Sequence, residues 1–90
     1  MLRISTERRE AGETLLRLEG RVVGPWVGEL ARTCGEARRS GGDLRLELAG
    51  ISYLGPEAVR LVRRLIREGV RVTGGSPFVR EQLDGGYVDA

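Results

Sequence analysis

Residues 44–57 read Leu44-Arg45-Leu46-Glu47-Leu48-Ala49-Gly50-Ile51-Ser52-Tyr53-Leu54-Gly55-Pro56-Glu57. The first five alternate apolar and charged without a break, the period-two signature of a half-buried strand. Residues 49–54 lose that alternation and are expected to form a loop. Gly55-Pro56-Glu57 then opens a helix, because proline is preorganised for the first helical position and a carboxylate in the first turn complements the helix dipole. A strand that feeds a helix in this way is the unit of a parallel sheet.

The flanking residues repeat the unit. Gly24-Pro25 is a second helix start, followed by Trp26, Val27, Leu30, Cys34 and Ala37 on one arc of a helix over residues 25–39. Glu29, Arg32, Glu36 and Arg39 take the opposite side, and Gly41-Gly42 supplies the stop. Trp26 and Cys34 are expected to pack in the core, while Gly28 and Gly35 on one flank leave room for another element to approach. Strands at residues 2–5 and 14–23, joined by a polar turn containing Gly12, are expected to pair as an antiparallel hairpin. Downstream, Val59, Leu61, Val62, Leu65 and Ile66 form the apolar arc of a helix over residues 56–68, with Arg60, Arg63, Arg64 and Arg67 opposite. A strand at residues 70–73 and a short helix at residues 77–83, capped by Ser76, complete the pattern. The tail from residue 84 to residue 90 has only Tyr87 and Val88 as apolar anchors and is expected to fray. The order β-β-α-β-α-β-α implies an α/β fold, a mixed and mainly parallel sheet with helices packed against it, in one domain of 90 residues.

Composition excludes more than it suggests. The chain is 40% hydrophobic and 31% charged, too apolar for disorder, and has no apolar run long enough to span a membrane. The expected compartment is the cytoplasm, with no membrane insertion. All 15 basic residues are arginine, and the sequence has no histidine, lysine or asparagine. Imidazole bases, histidine metal sites, Schiff-base lysines and phosphate-loop lysines are thereby ruled out. Cys34 is the single cysteine, so no internal disulfide or cysteine zinc cluster can form. No paired carboxylates and no glycine-rich nucleotide fingerprint are present, and the expectation is a non-enzyme with no catalytic residue, metal or cofactor.

The central stretch resembles that of STAS domains, the family of bacterial anti-sigma-factor antagonists. Glu47 stands at the acidic position of the strand, and Gly50-Ile51-Ser52-Tyr53-Leu54 matches the family's Gly-aliphatic-Ser/Thr-aromatic-aliphatic loop. Leu18-Glu19-Gly20-Arg21-Val22 and Ser76-Pro77 fit as well, so the resemblance spans nearly the whole chain. The family's Asp-Ser-Ser-Gly helix opening is replaced by Gly55, Pro56, Glu57 and Ala58, which puts proline at the position of the phospho-accepting serine. A phosphate there would add a charge of about −1.5 to −2 at a helix start. Pro56 cannot carry one, and Glu57 offers a fixed single negative charge beside it.

The resemblance implies a regulatory module that binds a protein partner without catalysing a reaction. The implied partner is an anti-sigma factor and serine kinase of the histidine-kinase-like ATPase fold. An ABC-type ATPase of a lipid-exporting transporter or a stress-signalling assembly is the alternative. The candidate partner-binding surface comprises Tyr53, Leu54, Gly55, Pro56, Glu57 and Arg60, with Val23, Gly24 and Pro25 nearby. A different class of function, nucleic-acid binding through Arg60, Arg63, Arg64, Arg67 and Arg71, is disfavoured by the scarcity of stacking aromatics, at 4% of the chain.

Overall fold

A computed structural model describes residues 1–84. The elements run β1 (Leu2–Arg8), a short 3-10 turn (Glu10–Gly12), β2 (Thr14–Val22), α1 (Pro25–Arg39), β3 (Leu44–Leu54), α2 (Pro56–Arg67), β4 (Arg71–Thr73) and α3 (Pro77–Asp84). The sheet order is β1-β2-β3-β4. β1 pairs antiparallel with β2, whereas β2–β3 and β3–β4 are parallel. The sheet is therefore mixed, as the element order implies. The expected fraying of the tail beyond Asp84 lies outside the described residues.

One face of the sheet meets the helices. Leu2, Leu16, Leu18, Val22, Leu44, Leu46, Leu48, Ile51 and Leu54 project into a single cluster with Leu30 and Cys34 of α1. Ala58, Val59, Leu61, Val62 and Leu65 of α2 and Val79 and Leu83 of α3 close it. Trp26 packs against this cluster and is half-buried. The opposite face carries charge. Arg17 bridges Glu47 at 2.9 Å and Glu7 at 2.6 Å, and Arg45 bridges Glu13 at 3.0 Å. Leu15 is buried on this face, opposite Glu7 and Arg45 in the strand register. The aliphatic stems of such long charged side chains cover apolar surface while their heads stay wet.

Several expectations need correction. β1 extends to Arg8 instead of ending at residue 5, because as an edge strand its outer residues are solvated and read as polar turn. β3 extends to Leu54, so the segment expected as a loop is strand. Its register against β2 slips twice, between Arg17 and Glu19 and between Gly20 and Arg21, leaving an extra β3 residue each time. These bulges erase the alternation that marks a strand in sequence. Gly50 sits at the first slip, where a Cβ would lie 2.8 Å from Glu19 Cγ and 3.0 Å from Leu18 O. Ile66 is exposed rather than part of the core arc. Gly28 has open space around it and Gly35 meets only the Arg39 side chain, so no other element approaches either.

Candidate functional site

The carboxyl ends of β2 and β3 lie side by side, and each runs through a Gly-Pro pair into a helix. Pro25 and Pro56 occupy first-turn positions of α1 and α2, and neither helix has a side-chain cap. Each proline removes one of the N–H groups left unpaired at a helix start, and at α1 the Trp26 and Val27 N–H groups donate to Val23 and Gly24 C=O at 3.1 Å. The starts of α1 and α2 are tied together by the Gly55 N–H, which donates to Val22 C=O at 2.9 Å. A Cβ at Gly55 would press within 3.3 Å of Val22 O and Val23 Cγ1. Small size at residue 55 lets the two strand ends close up.

Between these helix starts lies an open cavity of about 390 Å³ lined by Val23, Gly24, Val27, Tyr53, Gly55, Pro56, Glu57 and Arg60. Most of the site residues expected from sequence meet here. Gly24, Tyr53, Gly55, Pro56, Glu57 and Arg60 come together on its walls, and Pro25 stands exposed at the start of α1. Leu54 does not belong, since its side chain is 0% exposed in the core. The first bulge shifts the strand's phase so that Ile51 points inward, and the second shifts it back, so Leu54 again shares the inward face of Leu44, Leu46 and Leu48. What Leu54 offers is main chain, and that is already engaged. Its N–H donates to Gln82 Oε1 at 3.2 Å, and Gln82 Nε2 donates to its carbonyl at 2.8 Å.

Tyr53 extends the site beyond the cavity. Its ring stacks on Phe78 of α3, with centroids 6.2 Å apart, and the Arg21 guanidinium lies 5.5 Å from its centroid on the neighbouring strand. Phe78 is 55% exposed, leaving an aromatic ledge beside the groove. Sequence reasoning missed Arg21, Phe78 and Val27, whereas Val23, expected beside Gly24 and Pro25, does line the groove. Phe78 sits on the short helix begun by Ser76, whose Oγ accepts the Val79 N–H at 3.1 Å as the expected cap.

The arginine face of α2 is not uniformly solvated. Arg63 is half-buried and donates from Nε to Leu83 C=O at 3.0 Å and from Nη2 to Gln82 C=O at 3.4 Å, which caps the end of α3. Arg64 lies 3.8 Å from Glu68, which Arg38 of α1 also holds at 2.6 Å. The hydrogen bond from Arg38 lowers the Glu68 pKa below the usual carboxylate range, with the surrounding arginine charges adding to it. Cys34 is buried, and its thiol is pushed up to about 11 by desolvation, which makes it a packing residue without nucleophilic character. Among the described residues, no group of three or more His, Cys, Asp or Glu is placed to hold a metal ion, and no helix is long and apolar enough to cross a membrane.

No protein-family model and no curated protein sequence matches the chain. Solved structures do. The anti-sigma factor antagonist SpoIIAA in its unphosphorylated form superposes with a TM-score of 0.72 at 20% identity, over 93% of this chain and 84% of that one. A crystal structure of Mglu gives a TM-score of 0.61 at 25% identity over 81% of this chain, which spans only 19% of the Mglu chain. The chain therefore has the STAS fold expected from its central stretch.

Proposed function

We propose that this protein is a non-catalytic STAS-type regulatory module that docks on a protein partner through the groove between the starts of α1 and α2. The observation that carries this reading is the convergence of Tyr53, Gly55, Pro56, Glu57 and Arg60 on one open cavity at the carboxyl ends of two parallel strands. Crevices at that edge of an α/β sheet are where such folds bind. The exposed Tyr53–Phe78 ledge adds aromatic area of the kind that anchors protein interfaces. The fold shared with SpoIIAA makes an anti-sigma factor of the serine-kinase type the proposed partner.

The module is proposed to bind without a phosphate switch at this site. Pro56 occupies the first turn of α2, where the family resemblance places the accepting hydroxyl, and proline has none. Glu57 beside it supplies a fixed charge that no kinase or phosphatase can alter.

The test is a binding titration by calorimetry against each anti-sigma factor kinase of the source organism, with and without ATP, followed by intact-mass measurement. Binding that is equal in both conditions, with no added phosphate, is expected. Tyr53→Ala and Glu57→Arg should each weaken the complex by roughly tenfold or more. Absence of binding to every such kinase, or stoichiometric phosphorylation that releases the complex, overturns the reading.

A further inference from the structure

The two edges of the sheet are treated differently. On one side β4 is only three residues long, and farther along β3 the Gln82 amide occupies the main chain of Leu54. On the other side β1 runs seven residues with an unbroken register against β2 and no proline, and no described strand pairs with its outer side. A long regular edge of this kind is a template for another strand.

Main-chain parity says which groups it offers. Arg21 N–H donates to Met1 C=O at 3.0 Å and Arg9 N–H donates to Glu13 C=O at 2.7 Å, bracketing β1. Continuing the antiparallel ladder between them, Arg3, Ser5 and Glu7 turn their main-chain groups towards β2. Leu2, Ile4, Thr6 and Arg8 turn theirs outward.

We infer that β1 pairs antiparallel with β1 of a second copy about a two-fold axis at Ser5, joining two sheets into one of eight strands. The outward residues then meet as hydrogen-bonded pairs, Ile4 with Thr6 and Leu2 with Arg8. Arg3 meets Glu7 of the second copy in a non-hydrogen-bonded pair, the class in which opposed side chains lie closest. The match is one of charge. Arg3, Ser5 and Glu7 lie on the face away from the helices, and the two-fold places each arginine opposite a glutamate. Arg3 has only a loose bridge to Glu19 at 3.9 Å, and its side chain is 76% exposed. Glu7 is already the end of a row running from Glu47 through Arg17. Pairing extends that row across the interface, from Glu7 to Arg3 and Glu19 of the second copy. The inference does not depend on the proposed partner at the groove, which lies at the ends of β2 and β3.

Sedimentation equilibrium of the full chain at low salt over a wide concentration range tests it. The weight-average mass should rise towards that of a dimer. Thr6→Pro removes an outward N–H while leaving the β2 ladder intact and should abolish the rise. Glu7→Arg should weaken association by roughly tenfold or more by opposing two arginines at each of two symmetry-related positions. The exchange of both charges, R3E with E7R, should restore it. Far-ultraviolet circular dichroism confirms that each variant is folded, and the charge exchange carries the test should Thr6→Pro unfold. A chain that stays monomeric throughout, or a dimer insensitive to Glu7→Arg, overturns the inference.

Discussion

The Gln82 side chain closes a two-bond ring on the main chain of Leu54, receiving the Leu54 N–H at 3.2 Å and donating to its carbonyl at 2.8 Å. A side-chain amide thus stands in for the neighbouring strand that β4 is too short to supply. Gln82→Ala should leave both part-buried groups unpaired and cost about 1–3 kcal/mol in urea denaturation. Gln82→Glu keeps an acceptor for the N–H but opposes a carboxylate to the carbonyl, and should rescue little of the loss. Full stability in both variants would show that water replaces the amide without cost.

Arg63 and Arg64 are adjacent but should respond differently. Arg63→Ala removes the donors to Leu83 and Gln82 and should lower stability by about 1.5–3 kcal/mol, the range for hydrogen bonds to charged groups. Arg64→Ala should change it by less than about 0.5 kcal/mol, since an exposed pair at 3.8 Å contributes little. Thermal unfolding of the two variants side by side measures the contrast.

Gly20 has φ +109, and a Cβ there would lie 2.3 Å from Met1 O. Gly20→Ala should destabilise by about 1–3 kcal/mol through backbone strain. Chemical denaturation should show a lower midpoint with an unchanged slope.

Thr14 is 2% exposed, and its Oγ1 has no hydrogen-bond partner among the described residues. Replacing a buried unpaired hydroxyl with a methyl of similar shape should help, so Thr14→Val is expected to raise stability by about 1 kcal/mol. A decrease in melting temperature would mean that the hydroxyl is satisfied in solution.

Cys34 makes stability fall in alkali. Burial raises its folded-state pKa from 9.0 to about 11, so the folded protein holds a proton that the unfolded chain gives up. The contribution is fully present below pH 9 and is lost as pH rises through 11, amounting to about 1 kcal/mol by pH 10. Denaturation across that interval should show the decline in the native chain and not in Cys34→Ala. The native thiol should also resist alkylation until the protein is unfolded.

What could be read in advance was whatever local pattern controls. The Gly-Pro pairs and the unbroken apolar arc of α1 place that helix at Pro25–Arg39, the expected span. The reading failed where pattern and packing part company. Bulges near Ala49 and Ser52 made the end of β3 look like loop and hid that Leu54 turns inward. Glu7 and Arg8 looked like a turn because an edge strand can be polar on both faces. Most of the groove was legible because the family motif and the helix starts coincide there. Arg21 and Phe78 reach Tyr53 from elements distant in sequence, and no local pattern announces such a meeting.

The parallel pairing of β2 with β3 also governs how the chain finds its shape. Thr14 meets Leu44 and Leu16 meets Leu46, each across thirty residues that include all of α1. The β1–β2 hairpin can close locally, but the centre of the sheet must wait for that long loop to form. The Arg17–Glu47 and Arg45–Glu13 bridges join residues 30 and 32 apart and can appear only afterwards. Refolding should therefore be limited by the long closures of β2 on β3 and of β3 on β4, with α1 and the hairpin organised early and the charge bridges between β2 and β3 assembling last.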